Sequence, residues 1–148
     1  MKSLGLALGL LCMGLAVCPA LAESNGGVRV MPLGDSITDG VDVPGGYRIK
    51  LWQLMVAGGY TVDFVGSRSN GPAELFDHDH EGHPGWRIDQ LDANVVGWLQ
   101  NADPRTILLE IGTNDVNQDY DLANAPARLS ALIDKIRGSR SLSRVIRR

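Results

Sequence analysis

Two short stretches have the residue types and placement to act together. Gly34-Asp35-Ser36 ends the apolar run Val28-Arg29-Val30-Met31-Pro32-Leu33 and opens into Ile37-Thr38-Asp39-Gly40. A serine at the C-terminal tip of a buried strand, on a glycine-relieved turn, is well placed to present a nucleophile. Far downstream, Ile107-Leu108-Leu109-Glu110-Ile111 runs into Gly112-Thr113-Asn114-Asp115. If the two strands are parallel neighbours, Ser36 and Asn114 meet at one edge of their sheet. Ester hydrolysis needs a nucleophile, a base to take its proton, and donors aimed at the oxyanion. Ser36 suits the first role. Its backbone N–H and the Asn114 side-chain amide suit the last, where one preorganised donor is worth about 3 kcal/mol of barrier. Gly85, in His83-Pro84-Gly85-Trp86, can add a backbone donor, because glycine lets a substrate approach the main chain closely. Either motif alone is an ordinary turn of capping residues. Both together, in this order and at strand ends, carry more. The Gly-x-Ser-x-Gly elbow is not present, since Thr38 stands where its second glycine belongs.

The elements that must hold these residues follow from periodicity. Residues 28–33 read as a buried strand bounded by glycines, with Pro32 suiting a strand terminus. Residues 47–57 show helical spacing, with Ile49, Trp52, Met55 and Val56 in one stripe. Residues 61–65 form a second strand. Residues 67–86 are polar and rich in Gly, Pro and His, and read as a long functional or mobile loop. Residues 88–100 form a helix with Ile88, Leu91, Val95 and Trp98 on one face, and residues 106–111 a third strand. Residues 122–137 form a last helix, with Leu129, Leu132, Ile133 and Ile136 inward. Alternating strands and helices imply a parallel sheet, right-handed crossovers and a three-layer α/β sandwich. Ligands then sit at the C-terminal strand ends, where Ser36, Ser67 and Asn114 are expected.

Residues 1–22 have the form of a secretory signal: a positive start, an apolar stretch too short for a span, and Ala20-Leu21-Ala22 before the cleavage point. Secretion is therefore expected. A lipid-modified Cys18 fits less well, because Val17 precedes it. Cys12 and Cys18 both fall in this segment, so residues 23–148 can form neither a disulfide nor a thiolate zinc site. The net charge of −3 becomes −4 without Lys2. An acidic chain has no electrostatic case for nucleic acid, and no further segment is apolar enough to predict a membrane span.

The ordered blocks around Ser36, Gly85 and Asn114 resemble the first three of the GDSL, or SGNH, hydrolases. Glu81-Gly82-His83-Pro84-Gly85-Trp86 is similar to the acetyl-xylan esterases of carbohydrate esterase family 3. The resemblance runs from Val28 to about Ile136. It implies a flavodoxin-like sandwich and metal-free, cofactor-free hydrolysis of an acyl ester, with an acylated carbohydrate or other small ester as substrate. It also implies Ser36 as nucleophile, and an oxyanion hole made by the Ser36 amide, the Gly85 amide and the Asn114 side chain.

The family's last block, Asp-x-x-His, supplies the base and its orienting acid. No histidine follows His83, so no such block occurs in this sequence. Residues 23–138 are therefore expected to be a partial domain, truncated after the third strand–helix unit, with 139–148 an irregular basic tail. Its hydrolysis would be weak or absent, and its sheet edge would be apolar and exposed. His78, His80 and His83 lie among Asp77, Asp79 and Glu81, and read as a solvated, charged loop. Imidazole and carboxylate suit zinc, but the spacing matches neither His-Glu-x-x-His nor its inverse. His83 is a poor substitute base, since Gly85 beside it would face the oxyanion. Trp86 can stack on a sugar ring or cover the sheet edge. Trp52 and Trp98 read as core. The rival readings are a lysophospholipase-like esterase on the same scaffold and a non-catalytic carbohydrate-binding remnant.

Overall fold

A computed structural model describes residues 26–146, with side chains through 139. The signal-like segment and both cysteines lie outside the described residues. Strand β1 (Val28–Gly34) is followed by a one-turn helix α1 (Ser36–Asp39) and helix α2 (Gly46–Ala57). Then come β2 (Val62–Phe64), β3 (Arg68–Ser69), β4 (Asp79–Gly82) and helix α3 (Ile88–Ala102). Strand β5 (Thr106–Glu110), the short helix α4 (Thr113–Asn117) and the long helix α5 (Ala125–Ile146) complete the order.

β1 is the centre of the sheet. β5 pairs with it in parallel from Val30↔Thr106 to Gly34↔Glu110. β2 pairs with Val28 to Val30, and β4 with Leu33 and Gly34, both in parallel. Because β5 already occupies one edge at Val30, Leu33 and Gly34, β2 and β4 must share the other edge, one after the other. This explains how Pro32 is tolerated inside the strand rather than at its end. In a parallel strand, alternate residues direct their backbone groups to alternate edges. The Val30 and Gly34 carbonyls accept from Val65 and His83 on the β2/β4 edge. Pro32 therefore turns its missing donor to that edge, into the gap between β2 and β4.

The side chains alternate as the strand period demands. Met31 and Leu33 face α3 and α5, in a core with Leu91, Val95, Leu99, Leu132 and Ile136. Val30 faces α2, in a second core with Trp52, Val62, Phe64 and Leu75. The result is the expected three-layer α/β sandwich, with helices on both faces of a sheet whose strands β1, β2, β4 and β5 are parallel.

Four expectations are corrected. Residues 67–86 are not a plain loop: they hold β3 and β4, which pair antiparallel to each other, while β4 joins β1. The sheet thus has five strands, not three. Residues 139–146 are not irregular, because α5 continues through Gly138 to Ile146. No proline stands there to stop it, and a single interior glycine costs a helix only about 1 kcal/mol. Val56 and Ile133 are exposed rather than inward.

Candidate active site

The turn after β1 is built around Asp35, which is fully buried. Its Oδ1 accepts from the Ile37 amide at 2.9 Å, capping α1 and fixing Ser36 as the first helical residue. The Ser36 carbonyl accepts from Gly40 and Val41, which closes the turn. Gly34 cannot be replaced without movement: a Cβ there would lie 2.1 Å from the Glu110 carbonyl oxygen and 2.5 Å from Thr38 Oγ1. Ser36 itself is half-buried, at the C-terminal end of the sheet.

β5 ends opposite Gly34, so α4 starts beside α1. Asn114, on α4, donates through Nδ2 to the Trp86 carbonyl at 2.9 Å and lies 3.4 Å from Asp35 Oδ2. One carboxamide thus touches the residue before Ser36 and the residue after Gly85. Gly85 has φ +80°, a conformation glycine adopts without strain. Its carbonyl accepts from Gln118 Nε2 at 3.1 Å. Ser36, Gly85 and Asn114 therefore lie on three turns held together at one strand edge. Ser67 does not join them. β2 ends beside Val30, well short of Gly34, and Ser67 lines a separate cleft of about 270 Å³ with Glu81 and Trp98.

Behind the Ser36 turn, Glu110 sets its carboxyl against that of Asp35. Burial first, and then the Asp35 charge, raise its pKa above the usual carboxylate value. Tyr47, half-buried, pairs its hydroxyl with Thr38 Oγ1 at 3.3 Å, and burial raises its pKa as well.

The acidic, histidine-rich segment is not a solvated loop. Asp77, His80, Glu81 and His83 are buried, and each is met by a specific partner. Asp77 accepts from the Phe64 amide at 2.6 Å. Glu81 accepts from the Ser67 amide at 2.8 Å and the Ser67 hydroxyl at 2.7 Å. His80 Nδ1 accepts from the Gly82 amide at 3.0 Å. His83 Nε2 pairs with Glu81 Oε1 at 2.6 Å, while its ring is sandwiched between Trp86 and Trp98 at 4.3 and 4.5 Å. His78 Nε2 is bound to the Pro72 carbonyl at 3.0 Å. All three histidines of the chain are thus committed away from Ser36, His83 included. Trp86 covers the core beneath it. Among the described residues, no group of three or more His, Cys, Asp or Glu is arranged to hold a metal ion. Nor is any described helix long and apolar enough to cross a membrane.

Several residues that shape the site carried no signal in the sequence. Arg48, Glu110 and Gln118 sit in ordinary positions of ordinary elements. Asp115 is buried, capping α3 through the Ile88 amide at 3.0 Å and binding Arg128 of α5 at 2.8 Å. Its place directly after Asn114 was the only hint.

Residues 33–147 match the model of the GDSL-like lipase/acylhydrolase family. A multidomain esterase of Ruminococcus flavefaciens is 34% identical over 91% of this chain, which spans only 20% of that protein. A family 3 carbohydrate esterase of Clostridium thermocellum superposes with a TM-score of 0.74 at 42% identity. The match covers 78% of this chain and 58% of that one. A family 3 carbohydrate esterase of Talaromyces cellulolyticus gives 0.66 at 33% identity, covering 76% and 56%. A crystal structure of an acetyl esterase mutant with an acetate ion gives the same values.

Proposed function

The chain belongs to the GDSL-like lipase/acylhydrolase family, and we propose that within it the chain acts on short acyl esters of carbohydrates, releasing acetate. The observation that carries this reading is the Asn114 amide, shared between Trp86 beside Gly85 and Asp35 beside Ser36. That one side chain reaches both turns supports reading Ser36 as the nucleophile and Ser36, Gly85 and Asn114 as the donors. The acetyl and carbohydrate ester activities named for the structural relatives support the choice of substrate.

In the proposed reaction the Ser36 hydroxyl attacks the ester carbonyl. The new O–C bond forms as the carbonyl electrons move onto oxygen. The Ser36 and Gly85 amides and the Asn114 side chain hold that charge. One Asn114 N–H is bonded to Trp86 and fixes the side chain; the other, held only in a long contact with Asp35, is the donor left for the oxyanion. Collapse expels the sugar alkoxide, which takes a proton, and water then releases the acyl group from Ser36. With the three histidines bound to other partners, the Ser36 proton passes to water and a water proton caps the leaving alkoxide, so turnover by these residues alone is slow. Export from the cell, signalled by residues 1–22, places the enzyme where polysaccharide esters occur.

Incubating the full chain with p-nitrophenyl acetate and with acetylated xylo-oligosaccharide tests the reading. We expect slow release from both, reduced to the buffer rate by Ser36→Ala. Preference for a long-chain ester would favour a lipid-directed enzyme. Saccharide binding with release unaffected by Ser36→Ala would sink the esterase reading.

A further inference from the structure

We propose that Gln118 is a positioning residue, which sets the Gly85 turn from the C-terminal end of α4, one helical turn beyond Asn114. This rests on the roles given above to Gly85 and Asn114. Two successive carbonyls of the turn are held by side chains at the α4 end. Asn114 Nδ2 takes Trp86 O at 2.9 Å, and Gln118 Nε2 takes Gly85 O at 3.1 Å. The Trp86 amide is tied to the His83 carbonyl at 3.1 Å. The Gln118 amide donates to the Asn114 carbonyl at 3.0 Å, so the two residues stand one turn apart on one face. Asn114 and the Gly85 backbone are thereby set in register with each other.

Gly85 needs such a tie. At φ +80° it is the third residue of a turn closed by that Trp86–His83 bond, and with nothing within 4 Å of where a Cβ would be it has no side-chain packing of its own to add to that closure. The Gln118 amide is also oriented, not merely near. Its Oε1 accepts from Arg87 Nη1 at 2.7 Å, which leaves the NH₂ facing Gly85. Arg87 in turn is held by Asp89 at 3.0 and 3.1 Å and lies 4.0 Å over the Tyr120 ring. Because the contact is exposed, it adds little to global stability. Its effect falls on where the Gly85 backbone points.

Gln118→Glu separates orientation from packing. Glutamate keeps the reach and the Arg87 contact, but it has no donor and sets an acceptor against Gly85 O. Gln118→Ala removes both contacts. Phenylboronic acid is the probe: Ser36 Oγ adds to boron, its proton goes to solvent, and the tetrahedral anion presents an oxygen to the donors. We expect both variants to weaken boronate binding to the full chain by about tenfold, roughly 1.4 kcal/mol. The urea midpoint should hold, and the Gly85 amide resonance should move. Unchanged affinity in both variants, beside a Ser36→Ala chain that no longer binds, would overturn the positioning role alone. Undiminished binding by Ser36→Ala would overturn the site reading and this inference with it.

Discussion

Replacing Arg48 by methionine is expected to destabilise the fold by about 4 kcal/mol, the range for breaking a buried charged network. Arg48 is fully buried on α2. Its Nε donates to the Thr38 carbonyl at 3.0 Å, and its Nη1 to the His78 carbonyl at 2.9 Å. Its Nη2 reaches the Asp39 carbonyl at 3.1 Å, the Asn70 carbonyl at 3.2 Å and Asn70 Oδ1. One guanidinium thus ties α1, which carries Ser36, to the segment around β3 and β4. Methionine fills the volume but removes the donor from the buried Thr38 and Asp39 carbonyls, each a penalty of about 1–3 kcal/mol, while the His78 carbonyl keeps the Asn70 amide. Lysine retains the charge but cannot present donors in the planar fork that this spread of acceptors requires. Arg48→Lys should therefore recover only part of the loss. Arg29→Met is the control: its pair with Asp63 is half-exposed at 3.6 Å, and its loss should cost below about 1 kcal/mol. Urea unfolding of the three variants measures this. An Arg48→Met chain as stable as Arg29→Met would show that the buried fork contributes nothing.

That Arg48 matters was invisible beforehand, and the reason extends to much of the chain. β1, α2, β2, α3, β5 and α5 were legible because each buries an apolar stripe, and apolar stripes are written in period 2 or period 3.6. The two candidate turns were legible because glycine, aspartate and asparagine follow those strands directly. β4 was not legible. Its residues, Asp79-His80-Glu81-Gly82, read as surface. His80 and Glu81 are buried because the Gly82 and Ser67 backbone amides meet their side chains. A polar strand of this kind is specified by individual hydrogen-bond partners, some two residues away and some fourteen, rather than by an apolar period that a window of sequence can reveal. Gln118 and Asp115 escaped for the same cause: each takes its meaning from a backbone group about thirty residues away. The end of α5 was misjudged differently. The helix runs on through Gly138 because a glycine alone only weakens a helix, and the polar residues after it show no apolar stripe that would announce it.

The polar strand also predicts how stability depends on pH. Burial pushes the Asp77 carboxyl up to about 7 and the His80 imidazole down to about 3. Between about pH 4 and 6.5 the native state keeps a proton on Asp77 that the unfolded chain has lost. In the same interval it refuses His80 a proton that the unfolded chain has gained. Asp77 alone makes stability fall as pH rises towards 7. His80 alone makes stability fall as pH drops below 6.5. Each slope is about 1.4 kcal/mol per pH unit, and the two are opposite in sign. The unaltered chain should therefore show a nearly flat profile across this window from this pair. Glu110, raised by burial, adds in the direction of Asp77. Asp77→Asn removes one arm and exposes the other, so that variant should lose about 3 kcal/mol between pH 6.5 and 4 relative to the unaltered chain. His80→Gln should move by a similar amount in the opposite direction, whatever constant offset the lost Gly82 contact introduces. Urea midpoints across the interval read both slopes. Profiles for the two variants that run parallel to the unaltered chain would mean that Asp77 is ionised in the fold and His80 free to protonate, and the buried polar strand would then carry no linked protons.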